Sequence, residues 1–218
     1  FAQDREEKLF SQKIPETPAA IAAGKALYFE RCSFCHGLEG KGDGAVADYL
    51  NPRPRDFTSG QYKLRTTASG EVPLDENLFR TITQGIPGTA MPIWEPLSEE
   101  QRWQLVYYIK AFTKDFDPKR PPERPTFGPE IEATPEAIQQ GKELYQKMKC
   151  WECHGQEGRG DGPSAPTLRD DWGFRIQAAN LIKSWRYKGG GTARDIYTRF
   201  TTGMNGTPMP SYADILSD

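Results

Sequence analysis

All four cysteines and both histidines of the chain stand in two short stretches, RCSFCHGLEGKGDG from Arg31 and KCWECHGQEGRGDG from Lys149. Each is a Cys-x-x-Cys-His string followed by a Gly-rich run. Zinc binding, dithiol redox chemistry, disulfides and covalent haem are all open to a C-x-x-C pair. Structural zinc takes four ligands, and each stretch supplies three with no Cys or His left elsewhere. Pooling the four cysteines into one zinc site would leave the duplication around them unexplained. A thioredoxin-like dithiol belongs to a βαβ setting and has no His directly after the pair.

Covalent haem accounts for every one of these residues. C-x-x-C-H is the attachment string of c-type haem: two thiols add across the vinyl groups, and the adjacent imidazole is thereby held beneath the iron. Cys32, Cys35, Cys150 and Cys153 are the expected thioether residues of two haem c groups, and His36 and His154 the expected axial ligands. With no His or Cys to spare, a thioether or an amine is left for the sixth position. Of the four methionines, Met148 is tied beside Cys150, and Met204 has Ile86 as its counterpart. Met91 and Met209 occupy matching places, in GTAMP and GTPMP, each 55 residues after its histidine. They are the expected second axial ligands. A neutral thioether opposite imidazole favours ferrous iron and raises the potential. With both axial positions filled, such a centre moves electrons and does no bond chemistry on a substrate.

The elements that must position these residues are themselves written twice. TPAAIAAGKALYFERCSFCHG from Thr17 aligns with TPEAIQQGKELYQKMKCWECHG from Thr134, with one extra residue before Cys150. TITQGIPGTAMPIW from Thr81 aligns with RFTTGMNGTPMPSY from Arg199. Thr17-Pro18 and Thr134-Pro135 read as N-cap and first helical residue. Ser98 with Gln101 has capping-box spacing ahead of a helix whose buried stripe is expected at Trp103, Val106, Tyr107, Ile109 and Lys110. No alternating strand pattern occurs, so the expected class is all-α with long loops. The expected organisation is an N-terminal arm over 1–16, a first domain over 17–114, a Pro-rich linker over 115–133 and a second domain over 134–218. The linker has prolines at 118, 121, 122, 125 and 129, and reads as a semi-rigid spacer or a strap, with Phe116, Phe127 and Ile131 available to dock. Ser217-Asp218 falls where the closing helix of the first repeat begins. The second domain's closing helix is therefore expected beyond Asp218, or its surface is supplied by a partner.

Composition sets outer bounds. The 218 residues are 36% hydrophobic with a formal net charge of −2, and the mean hydropathy is −0.72. A chain this poor in apolar side chains gains from a large apolar cofactor in its core. Its balanced charge argues against nucleic-acid binding, and no run of about 20 apolar residues spans a bilayer. No signal peptide stands at Phe1, so a leader is expected to be cleaved or absent from this sequence.

On these motifs each half resembles class I cytochromes c, and the whole resembles soluble dihaem two-domain cytochromes c, from Thr17 to Ser217. The resemblance also covers a helix Gly with an aromatic four residues on, Gly24 with Tyr28 and Gly141 with Tyr145. It implies that Gly24 packs against the last helix of its domain near Leu105 and Tyr108. It implies a fold wrapped around one haem per domain, export to the periplasm or another extracytoplasmic space of a bacterium, and electron transfer between a redox protein donor and acceptor. An alternative is an integral electron-transfer subunit of a larger respiratory oxidoreductase; the charged arm FAQDREEKLFSQK, with no obvious place in a haem fold, favours that. A further alternative is a dihaem enzyme, such as a peroxidase or a thiosulfate-oxidising cytochrome. Those families use an additional His or Cys, which this chain lacks, so it is expected not to be an enzyme. GKGDG and GRGDG read as tight turns at the haem edge. Arg53, Arg55, Arg65, Arg186 and Lys188 are candidate partners of the haem carboxylates. Trp94 and Tyr212, three residues beyond the matching methionines, are expected to shelter the haem edge.

Overall fold

A computed structural model describes residues 13–216 of the chain. The greater part of the expected N-terminal arm, residues 1–12, and residues 217–218 lie outside the described residues. The chain divides into two units between Pro125 and Thr126. Among the described residues there is no strand, only an isolated bridge between Arg169 and Arg175, and the all-α class follows.

The first unit consists of α1 (Pro18–Arg31), α2 (Ser33–His36), a 3-10 turn (Ala47–Tyr49), α3 (Asp75–Gln84) and α4 (Glu99–Lys110). α1 begins as its sequence dictates: the Thr17 hydroxyl accepts from the Ala20 amide, and Pro18 takes the first turn, where no amide is needed. α4 begins with a complete capping box between Ser98 and Gln101. α1 and α4 cross at Gly24, where an added Cβ would overlap the Gln104 carbonyl oxygen and lie 3.1 Å from Tyr108 Cβ. The implied partner Tyr108 is there. The closest approach, however, is to the main chain of Gln104 rather than to Leu105, because a glycine lets backbone meet backbone.

Burial on α4 runs further round than a single stripe. Arg102, Trp103, Leu105, Val106, Tyr107 and Ile109 are all buried. α1 covers one side and α3 another, with Trp103 stacked on Phe79 at 4.3 Å and Arg102 Nη1 donating to Thr83 Oγ1 at 2.7 Å. The described end of the N-terminal arm covers a third. Lys13 pairs with Asp75 and Glu76 at 3.0 Å, Glu16 pairs with Lys110 at 2.7 Å, and the Tyr107 hydroxyl donates to the Ile14 carbonyl. Residues 13–16 thus have a place in the fold that their sequence did not suggest.

The Pro-rich stretch lies on both units. On the first, Ala68 donates to the Glu123 carbonyl at 2.8 Å and Phe116 meets Tyr62 edge-on. On the second, Phe127 meets Tyr197 at 5.8 Å and the Arg194 guanidinium at 4.5 Å. Ile131 is 74% exposed and does not dock.

The second unit consists of α5 (Pro135–Lys147), α6 (Trp151–His154), two 3-10 turns (Ala165–Thr167 and Ser184–Arg186) and α7 (Ala193–Thr202). α5 repeats the start of α1, with the Thr134 hydroxyl accepting from Ala137. No residue of α5 is buried, and a Cβ on Gly141 would meet nothing within 4 Å. α7 has its own capping box, Thr192 with Asp195. It buries Thr198, Thr201 and Thr202, whose hydroxyls donate to carbonyls four residues back.

Candidate functional site

Each Cys-x-x-Cys-His string forms a sharp corner at the end of the first helix of its unit. In the first unit Cys32 donates its amide to Tyr28, in ordinary helical register at 2.8 Å. In the second, Cys150 donates to Tyr145 instead, at 3.0 Å. The extra residue there is absorbed at Lys149, whose φ of 55° is left-handed. The insertion is thus spent in one bulged residue, and the chain is back in register at the histidines, where His36 donates to Cys32 and His154 to Cys150, both at 2.9 Å. From His36 to Tyr49 and from His154 to Thr167 the main chains match bond for bond. Gly42 and Gly160 donate to the histidine carbonyls at 2.9 and 2.7 Å, and Gly44 and Gly162 donate to Cys35 and Cys153 at 3.2 and 3.3 Å. Gly37, Gly40 and Gly42, like Gly155, Gly158 and Gly160, have positive φ. The Gly-rich runs are tight turns, as their sequence reads.

The aromatic of each first helix locks this corner. Tyr28 is fully buried and its hydroxyl donates to the Gly37 carbonyl at 2.7 Å; Tyr145 donates to Gly155 at 2.6 Å. Each imidazole is held by its Nδ1 against a main-chain carbonyl, His36 on Arg55 at 3.3 Å and His154 on Ala179 at 3.0 Å. A carbonyl oxygen can only accept, so Nδ1 carries a proton, and in the neutral imidazole that leaves the lone pair on Nε2. Burial pushes the His36 imidazole down to about 4, against the pull of that hydrogen bond, and it is neutral at physiological pH. Burial pushes the Cys32 thiol up to about 12, and it raises Cys150 and Cys153 as well.

The carbonyl partners were not legible in the sequence. They lie 19 residues after His36 but 25 after His154. The extra residues of the second unit are compensated before its methionine, which is why the histidine-to-methionine spacing conceals them. The correspondence shows only where the chain returns: Phe57 donates to Gly40 at 2.7 Å and Leu181 to Gly158 at 2.6 Å, two residues beyond the respective carbonyls.

The two methionine loops are also built alike. Ile86 donates to the Met91 carbonyl at 3.1 Å, and Met204 to the Met209 carbonyl at 3.0 Å. Thr89 caps the first loop, donating to Ile86 and accepting from Met91; Thr207 does the same between Met204 and Met209. Trp94 and Tyr212 donate their amides to Ile82 and Phe200, closing each loop on the preceding helix. Met91 and Met209 are both half-buried. At Gly85 a Cβ would lie 2.7 Å from Pro92, so the loop closes only over a glycine.

These residues suit a haem. Paired thiols, an imidazole with Nε2 available and a thioether are the donor set of a c-type haem iron. The carbonyl on Nδ1 is the kind of outer partner that fixes a ligating imidazole. The Tyr62 hydroxyl is buried with no partner among the described residues, and leaving such a group unmet costs about 1–3 kcal/mol. The buried Arg65 lies in the same segment, donating to the carbonyls of Tyr62 and Ala68. A haem carboxylate would give the Tyr62 hydroxyl a partner. Of the other candidate cations, Arg53 pairs with Asp48 at 2.6 Å and Arg186 is exposed.

Comparisons with known proteins follow the same division of the chain. Residues 19–109 match the family described as cytochrome c oxidase, cbb3-type, subunit III, and residues 138–218 match cytochrome c. Cytochrome c55X of Stutzerimonas stutzeri is 32% identical over 111 residues, covering 45% of this chain and 79% of that protein. Thiosulfate dehydrogenase of Stutzerimonas stutzeri (strain A1501) is 24% identical over 123 residues, 52% of this chain but 36% of that protein. Among solved structures, a chain of the Kuenenia stuttgartiensis reducing HAO-like protein complex superposes with a TM-score of 0.88 at 46% identity, covering 94% of this chain and 93% of that one.

Proposed function

Because this chain belongs to the cytochrome c family, as two such domains in tandem with two covalently bound haem c groups, we propose that Cys32 and Cys35 hold one haem and Cys150 and Cys153 the other. In this reading His36 with Met91, and His154 with Met209, are the axial ligand pairs. The domains are 17–114 and 134–218, with the stretch 115–133 between them. When bound, each haem supplies an iron that cycles between ferric and ferrous states, and the function is electron transfer. The chain's own contribution is to hold the ligands still. Tyr28 and Tyr145 fix the corners that carry the histidines, the Arg55 and Ala179 carbonyls fix the imidazole tautomer, and Thr89 and Thr207 hold the methionine loops. Arg65 and Tyr62 meet a haem carboxylate in the first unit.

The observation that supports this reading best is the bond-for-bond repetition of the histidine corner and the methionine loop in two units that differ in the chain between them. A carrier with both axial positions filled leaves no iron open to substrate, and on that ground we assign no enzymatic activity. Covalent haem attachment of this kind accords with an extracytoplasmic location in a bacterium. Among the described residues no helix is long and apolar enough to cross a membrane.

The visible spectrum of the dithionite-reduced holoprotein, before and after carbon monoxide, tests the ligand assignment. An unchanged spectrum is expected; a change in about half the haem would show an open iron and favour an enzyme, as the likeness to thiosulfate dehydrogenase suggests. A second reading, a resident subunit of an oxidoreductase complex exchanging electrons with its partner protein, draws on the near-complete match to a chain from such an assembly. Co-purification of a stable partner from the native source supports it, and a monodisperse dihaem species of single-chain mass opposes it.

A further inference from the structure

The two histidine corners differ at one residue that neither the family reading nor the sequence repeat singles out. In the first unit the Phe57 ring lies against the His36 imidazole, with centroids 4.5 Å apart and planes inclined by 17°. In the second unit the same place, two residues beyond the accepting carbonyl and bonded to the equivalent glycine, is taken by Leu181. Among the described residues no aromatic ring stacks on His154.

We propose that Phe57 is a positioning residue that fixes the plane of the His36 imidazole, and that the second unit lacks this restraint. The proposal rests on the reading of His36 as an axial ligand. Phe57 is itself immobilised: it is 8% exposed, stacked on Tyr62 at 6.0 Å and on Phe112 at 6.0 Å, and edge-on to Tyr28. The imidazole therefore forms the end of a stack of rings anchored in the core, and turning it about its Nε2 direction breaks a face-to-face contact. The hydrogen bond from Nδ1 does less of this work in the first unit. At 3.3 Å it lies beyond the usual N–H···O range, whereas the bond in the second unit is 3.0 Å. The orientation of His36 is thus held by a ring contact, and that of His154 by its hydrogen bond. One redox centre is expected to have a narrow distribution of ligand planes and the other a broad one.

The electron paramagnetic resonance spectrum of the frozen, oxidised holoprotein reads that distribution as line width. The native protein is expected to give two low-spin ferric signals, one narrow and one broad. Phe57→Leu should broaden the narrow signal to the width of the other, and Phe57→Tyr, which keeps the ring, should leave it narrow. Leu181→Phe should sharpen the broad signal, and as a change in the other unit it tests the idea even if Phe57→Leu fails to fold. The proposal is overturned if Phe57→Leu, with native haem content and visible spectrum, leaves the narrow signal unchanged, or if Leu181→Phe folds and sharpens nothing. Absence of two low-spin signals in the native protein would instead overturn the ligand assignment, before any variant is made.

Discussion

Gly24 and Gly141 occupy the same place in the two repeats, yet their replacement by alanine should move stability in opposite directions. At Gly24 an added Cβ would overlap the Gln104 carbonyl oxygen and lie 2.5 Å from the carbonyl carbon. Carbon contacts become comfortable near 3.5 Å, so α1 and α4 must part by about 1 Å, and a gap of that size forfeits roughly a quarter to a half of the dispersion between facing atoms. Overpacking a tight core costs about 1–3 kcal/mol. The upper end applies, because the obstacle is main chain and cannot rotate away. Alanine returns about 1 kcal/mol of helix propensity. The net loss is about 2 kcal/mol, or roughly 8–16 °C in the first unit at about 4–8 °C per kcal/mol for a domain of this size. At Gly141 nothing lies within 4 Å, so only propensity acts and the second unit should gain about 1 kcal/mol. Differential scanning calorimetry of the holoprotein, with the transitions assigned by the two variants, measures both. A native or raised melting temperature for Gly24→Ala would refute the close-crossing argument. A loss for Gly141→Ala as large as that for Gly24→Ala would show α5 covered by a helix in the protein as it exists.

Two further outcomes follow from the same unit. Burial raises the Asp75 carboxyl, but hydrogen bonds and charge from Lys110 and Lys13 outweigh it and hold it below the ordinary range. Its stabilisation is therefore present above the unfolded value, about 3.9, and lost as pH falls through the folded one; Asp75→Asn should weaken the first unit at neutral pH and flatten its stability profile below about pH 4 in denaturant titrations, and an unaltered acid limb would contradict this. Tyr28→Phe removes the hydroxyl that satisfies the buried Gly37 carbonyl and should cost about 1–3 kcal/mol, against a smaller loss for Tyr145→Phe, whose bond is only partly buried. Equal losses in thermal melts would show that burial does not set the difference.

What could be read before any fold was known is what is carried by side-chain identity at short range or by repetition. The two C-x-x-C-H strings, the Thr-Pro helix starts, the Ser98–Gln101 box and the paired Met91 and Met209 loops all fall in this group. A cap depends on three or four neighbouring residues, and the duplicated histidine and methionine are detectable because two copies were kept at equal spacing.

The tertiary structure decided the rest. The carbonyls that orient His36 and His154 are main-chain atoms, which have no residue type to recognise, and they sit at unequal distances along the chain. Phe57 and Leu181 become equivalent only once both segments return to bond Gly40 and Gly158. Lys13 and Glu16 reveal their role only beside Asp75 and Lys110, and Arg65 separates from the other cations only through its burial. The sequence by itself determined the chemistry, because covalent attachment and ligation demand particular side chains. Folding determined how firmly each histidine is held, because that depends on surfaces brought together from distant parts of the chain.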